Sequence, residues 1–168
     1  QLRPEQGGQC GMELYVRHGY TLSRERFHLN QRRCPGYVAG AALKRGAQPT
    51  GVDFSDAQVA LARHRYPSIS FHPGDAEALT FADGSFDAVV NNFGMPHFPN
   101  PEVAMREAYR VLRHGGRFAF TVWDIPERAV GFGAVYAAIR AHGSLDVGLP
   151  VGPNFFLYSD PEACKRSL

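Results

Sequence analysis

Apolar residues along this chain switch between two periods. From residue 36 onward short β-branched or apolar runs alternate with longer stretches of helical spacing, a rhythm that predicts a parallel sheet with crossover helices. Gly36–Arg45 (GYVAGAALKR) reads as a short helix of small residues closed by Gly46. Thr50–Phe54 reads as a buried strand, and Ser55 with Gln58 forms a capping box for a helix that ends before Pro67. Ile69–His72 and Phe86–Asn91 are the next strands. Pro101–Leu112 is an amphipathic helix whose apolar side carries Val103, Ala104, Ala108, Val111 and Leu112. A Gly115-Gly116 turn then leads into a strand over Arg117–Trp123. Asp124 and Pro126 start a helix that reaches about His142. Gly143–Pro153 is a Gly/Pro-rich loop, and Ser159-Asp160-Pro161-Glu162 opens a last helix that the chain barely enters.

Residues 1–35 do not share this rhythm. Met12–Arg17 alternates weakly and Phe27–Asn30 could form only a very short strand. The expected organisation is an atypical N-terminal segment, 1–35, followed by an incomplete α/β core, 36–168.

Composition changes the picture little. At 168 residues, 44% hydrophobic and 20% charged, the chain suits one globular domain. No apolar run reaches the roughly 20 residues of a membrane span, and residues 1–10 lack a signal-peptide pattern, so a cytoplasmic protein is expected. Cys10, Cys34 and Cys164 are scattered, and the seven histidines lack ligand spacing, so no metal is expected. Charge is uneven: residues 1–50 carry eight Lys/Arg against three Asp/Glu, while the remainder is net acidic. The arginines are not interleaved with stacking aromatics, so nucleic acid is not an expected partner.

Three features carry chemistry. Asp53 ends a strand shortly after a small-residue helix, where a carboxylate can accept hydrogen bonds from vicinal ribose hydroxyls; alone, it could equally be a strand-end turn residue. Asp75, in Pro73-Gly74-Asp75-Ala76, could meet an adenine amino group or simply make a local turn. Asn91-Asn92-Phe93-Gly94 is similar to a run in short-chain dehydrogenases. That family's Tyr-x-x-x-Lys pair is missing, however: Arg113, Arg140 and Glu162 follow Tyr109, Tyr136 and Tyr158 at that spacing.

Taken together, GYVAGAALKRGA, GVDFSDAQVALAR, GDAEALTFADGSFDAVVNNFG and PEVAMREAYRVLRHGGRFAFTVW resemble class I S-adenosylmethionine-dependent methyltransferases, the type 11 group in particular. The most specific part is Leu79–Asp87 together with the helix that ends VLRHGGRF. The resemblance implies a Rossmann-like parallel sheet with flanking helices and S-adenosylmethionine as cofactor. It implies that Asp53 binds the ribose, Phe54 flanks the adenine, Asp75 and Ala76 contact the adenine edge, and Asn91 or Asn92 lies beside the methionine moiety. Met95, His97 and Phe98 would face a small-molecule methyl acceptor, and His97 is the candidate base.

Two departures accompany the resemblance. In the family's glycine-rich first loop, Asn30 stands for the acid, Arg32 and Cys34 for two glycines, and only Gly36 is kept; Phe27–Leu29 would be what is left of the first strand. The last two strands, an antiparallel hairpin, have no counterpart, so the chain reads as a fragment. The alternative function is therefore a non-catalytic Rossmann-like fragment or interaction module that has lost cofactor binding.

Overall fold

Small residues let the first helix, α1 (Tyr37–Leu43), lie close against its neighbours: Ala39, Gly40 and Ala42 are buried on it. A Cβ at Gly40 would stand 2.5 Å from the Tyr66 ring. The helix closes as its sequence predicts. Gly46 takes a φ of 83°, its N–H donates to Leu43 O at 2.9 Å and Ala47 N–H donates to Ala42 O at 3.1 Å, which satisfies two carbonyls the helix end would leave bare.

The structure, a computed structural model, describes residues 13–17, 36–144, 146, 148 and 153–168. After α1 come β2 (Gln48–Asp53), α2 (Asp56–Arg65) and β3 (Ser70–Pro73). Ser55 caps α2 by accepting the Gln58 N–H at 3.5 Å, the half of the capping box that the sequence places there. Arg63 then ties α2 to β3, donating to Phe71 O from Nε at 2.9 Å and from Nη2 at 2.6 Å.

The second half comprises β4 (Phe86–Asn92), α3 (Pro101–Val111), β5 (Leu112–Thr121), α4 (Val130–His142) and α5 (Pro161–Ser167). The apolar side of α3 buries Ala104, Ala108 and Val111 as its periodicity predicts, with Met105 in addition, while the expected Val103 and Leu112 are half-buried. The Gly115-Gly116 pair differs from expectation. β5 begins directly after α3, pairing Leu112 with Phe86 and then Arg117 with Ala88, so Arg113–Gly116 bulge out opposite Asp87 alone. Gly115 reaches a φ of 76°, and a Cβ on Gly116 would lie 2.9 Å from Arg113 O. The glycines make an irregularity within a strand rather than a turn before it. α4 also starts later than Asp124, which instead holds a turn by accepting the Ile125 N–H at 2.8 Å.

With β1 at Glu13–Arg17, the five strands lie in the order β3-β2-β1-β4-β5. β2 with β3, and β4 with β5, are parallel. Buried Ala39, Ala42, Val59, Ala62 and Phe71 form one apolar layer with α1 and α2; Val52, Leu79, Phe86, Val89, Ala108 and Val111 form another with α3. Helices packed through two such layers give the expected Rossmann-like arrangement.

The central strand, in the place of the doubtful first strand of the expected parallel sheet, departs from the parallel pattern of its neighbours. β1 (Glu13–Arg17) comes from the segment with the weak alternation and runs antiparallel to both neighbours. Glu13 lies between Val52 and Asn91, and Arg17 opposite Gln48. The physical reason is backbone pairing: β2 and β4 each present a row of N–H and C=O groups that a central gap would leave unmet. The Phe27–Leu29 strand remnant and the altered loop Asn30–Pro35 lie outside the described residues.

Candidate cofactor and acceptor site

Ligands of open α/β sheets bind beyond the carboxyl ends of the parallel strands, where the strand order reverses. Here that place is the edge where β2 ends at Asp53 and β4 ends at Asn92, on either side of the start of β1.

Asp53 is 4% exposed, one of two buried polar residues among those described. Its Oδ1 accepts the Ser55 N–H at 2.9 Å. Burial pushes its carboxyl above the ordinary carboxylate range, and the Ser55 N–H opposes this in part. Asp53 faces Pro73 across the β2–β3 pair, and its carbonyl accepts the Gly74 N–H at 3.1 Å, which brings Asp75 close by. Asp75 is exposed and its Oδ1 accepts the Glu77 N–H at 2.8 Å. Next to it Ala76 is buried, whereas Phe54 projects with 63% exposure. The edge thus holds a desolvated acid, an exposed ring and a second, solvated acid in sequence along two adjacent strands.

Gly36 serves packing. It is buried at the N-cap of α1 with a φ of 76°. A Cβ there would come within 2.9 Å of the Phe71 ring and 3.1 Å of Tyr66.

The two asparagines have distinct tasks. Asn91 is fully buried, and its Oδ1 accepts the N–H groups of Gly94 and Met95 at 2.9 and 3.0 Å, which folds the loop after β4. Gly94 is needed for this: a Cβ would lie 2.5 Å from the Asn91 amide nitrogen. Asn92 Oδ1 accepts the Thr121 hydroxyl at 2.9 Å. Thr121 in turn receives the Phe93 N–H on both Oγ1 and its carbonyl, each at 3.1 Å.

Of the expected acceptor-facing residues, Met95 is buried with Met105 and Tyr158, and Phe98 packs against the same cluster. His97 is half-buried, its ring edge-on to Phe155 with centroids 5.8 Å apart. Desolvation lowers its pKa below the usual 6.5, favouring neutral imidazole.

Sequence reasoning missed the aromatic group around it. Phe93 stacks on Trp123 (centroids 4.4 Å, 25° between planes). Trp123 meets Phe132 edge-on at 5.2 Å, and Phe132 lies 6.0 Å from Phe155 and 5.8 Å from Phe156. Trp123 closing an apolar strand, with Phe155-Phe156 beyond a Gly/Pro-rich loop, was the available signal; the contact between them is tertiary. Among the described residues no group of three or more His, Cys, Asp or Glu could hold a metal.

The loop between β3 and β4, the stretch with the most specific sequence, is fastened to α3. Arg110 donates to Leu79 O at 2.9 Å, Phe81 O at 2.8 Å and Asp83 Oδ1 at 2.7 Å. It also pairs with Glu107, whose Oε2 accepts the Leu79 N–H at 2.8 Å. That pairing holds the Glu107 carboxyl below its ordinary range.

An α/β sheet of this strand order, with an acid closing β2 and a structured loop after β4, defines a Rossmann-like nucleotide-binding class. Within it, a sequence model of the methyltransferase domain matches residues 33–120, just over half of the chain, and the chain belongs to that family, whose cofactor is S-adenosylmethionine. It is 46% identical over 79 residues to the demethylmenaquinone methyltransferase of Chlorobaculum parvum, a match covering 47% of this chain and 33% of that one. It is 43% identical over 102 residues to the ubiquinone/menaquinone biosynthesis C-methyltransferase UbiE of Methylobacterium nodulans, covering 54% and 40%. The crystal structure of a SAM-dependent methyltransferase from Thermotoga maritima superposes with a TM-score of 0.52 at 24% identity, covering 69% of this chain and 52% of that one, and shares the fold. The chain thus matches well under half the length of these two curated relatives.

Proposed function

We propose that this chain contributes the core of an enzyme that transfers a methyl group from S-adenosylmethionine to a small-molecule acceptor. The observation that carries the reading is Asp53: a buried carboxylate at the end of β2, with one oxygen on a backbone N–H. A desolvated acid is costly to keep unless a ligand repays it, and the vicinal hydroxyls of a ribose are donors suited to it. Phe54 would flank the adenine, Asp75 and Ala76 would meet its edge, and Asn91 and Asn92 would shape the place of the methionine end. Gly36 belongs to this set as the retained glycine of the first motif.

The cofactor supplies a methyl group already activated on a sulfonium. The chain's own residues have to bind, orient and exclude water, which is where most of the rate comes from in such a displacement. Neutral His97 can take a proton from the acceptor. The names of the relatives favour a quinol ring as that acceptor. Among the described residues no helix is long and apolar enough to cross a membrane. The proposal includes a cytoplasmic setting, where three scattered cysteines stay reduced.

One observation favours the second reading, a binding module without catalysis. β1 starts at the site edge and runs away from it, so it cannot lead a glycine-rich loop to the cofactor as a parallel strand would. Incubation with methyl-tritiated S-adenosylmethionine and a reduced naphthoquinone separates the two. Acceptor-dependent label in the organic phase is expected; no transfer at saturating cofactor would leave the non-catalytic reading.

A further inference from the structure

Phe93 is the one non-glycine residue with positive φ among those described, at 58°. A bulky aromatic residue in the left-handed region is costly and is kept only where its surroundings enforce it. The enforcement is visible. The Phe93 N–H is shared between Thr121 Oγ1 and Thr121 O, and the Thr121 hydroxyl is itself spent on Asn92 Oδ1. Asn91, one residue earlier, fixes the next turn through Gly94 and Met95. Three residues of β4 and β5 thus hold one phenyl ring in place at the carboxyl edge of the sheet.

That ring is parted from the core and laid on Trp123. Both are only half-buried, as are Phe132, Phe155, Phe156 and His97 around them. Aromatic rings serving only the core would be expected to bury more fully. Here strained backbone, a braced stack and a half-open aromatic wall coincide at the end of the strands where ligands bind, and His97 joins the stack through Phe155 and Phe132.

We infer that the braced Phe93–Trp123 pair is the platform on which a planar aromatic methyl acceptor stacks, and that it selects aromatic over saturated acceptors. This rests on the methyltransferase reading. A flat ring adds offset or edge contacts with each aromatic partner beyond area burial, whereas a puckered saturated ring of the same size gains none of them. Phe132, meeting the indole edge-on, and Phe155, beside His97, would bound the ring's sides.

Trp123 is the sole tryptophan of the chain, so its emission reports on the platform directly. The probe is 2,3-dimethyl-1,4-naphthoquinone, whose blocked positions cannot add cysteine thiols, with 2,3-dimethyldecahydronaphthalene-1,4-dione, the same two-ring skeleton saturated, as the control. Saturable quenching by the naphthoquinone is expected, beyond that of N-acetyltryptophanamide, with no response to the dione. Phe93→Leu should weaken naphthoquinone binding about three- to tenfold while S-adenosylhomocysteine binding, followed by calorimetry, stays within twofold. Trp123→Leu, followed by equilibrium dialysis, should do the same and covers the case in which Phe93→Leu fails to fold. Equal affinity in wild type and either folded variant, equal binding of the dione, or no naphthoquinone binding at all would overturn the platform. Naphthoquinone binding without any S-adenosylhomocysteine binding would leave the platform standing and remove the cofactor reading instead.

Discussion

Asp53 shows at a single residue how function opposes stability. Its carboxyl is raised by burial, so the folded chain holds that proton more tightly than the unfolded chain does. Between the ordinary carboxylate value and the raised one, the native state binds more protons, and stability falls as pH rises through that window. Asp53→Asn should therefore raise the melting temperature at pH 7 in the absence of ligand and flatten that part of the pH dependence. In S-adenosylhomocysteine titrations Asp53→Ala should weaken binding at least tenfold. A lower melting temperature for Asp53→Asn at pH 7 would show that the charge is stabilised in the empty fold, and an unchanged affinity in Asp53→Ala would take the ribose away from this residue. The placement of Asp53 and Asp75 was legible at this scale because acids at strand ends are set by local sequence; their contacts with a cofactor are what the titration tests. Phe93, Trp123 and Phe155 were not, since their association depends on how two distant loops meet. Asn91 was legible as the end of a strand, but its Oδ1 turns inward to accept from Gly94 and Met95, a direction no sequence pattern gives.

At the scale of elements, the chain is held by two devices of different visibility. Arg110 on α3 fastens the loop from Leu79 to Asp83 through carbonyl and carboxylate acceptors. Partial exposure of the guanidinium moderates the value of these bonds. Arg110→Ala should nevertheless cost about 2 kcal/mol, since charged hydrogen bonds are worth about 1.5–3 kcal/mol each and their partners would be left to water. Urea unfolding measures this, and a loss below about 0.5 kcal/mol would reduce the network to surface pairing. The sequence marked this stretch as distinctive without revealing why; the reason is a contact 31 residues apart between Arg110 and Leu79. β1 is the opposite case. Local pattern placed α1, α2 and α3 closely, because caps, small residues and apolar spacing are local signals. It gave Met12–Arg17 little weight, because what makes a central strand is the neighbours it pairs with. Tyr15 pairs with Thr50 on one side and Val89 on the other. A proline in a central strand removes a ladder hydrogen bond and clashes, so Tyr15→Pro should lower stability by about 3 kcal/mol or abolish folding. A variant as stable as wild type would show that Glu13–Arg17 does not form the central strand.

Among the described residues the molecule is a Rossmann-like sheet whose edges are β3 and β5, and its apolar helix α4 has half-buried but no fully buried side chains. It spans only a part of the relatives it matches, while the family match from residue 33 to 120 takes in every expected cofactor contact. We propose that this span still forms an adenosyl-binding edge, although its middle strand runs against the others. Isothermal titration of the full chain with S-adenosylhomocysteine tests it most directly. One saturable site is predicted, and ligand at a hundred times its dissociation constant should add about 2.7 kcal/mol to unfolding stability. No heat and no stabilisation up to millimolar ligand would contradict the account, leaving a methyltransferase fold that does not bind its cofactor.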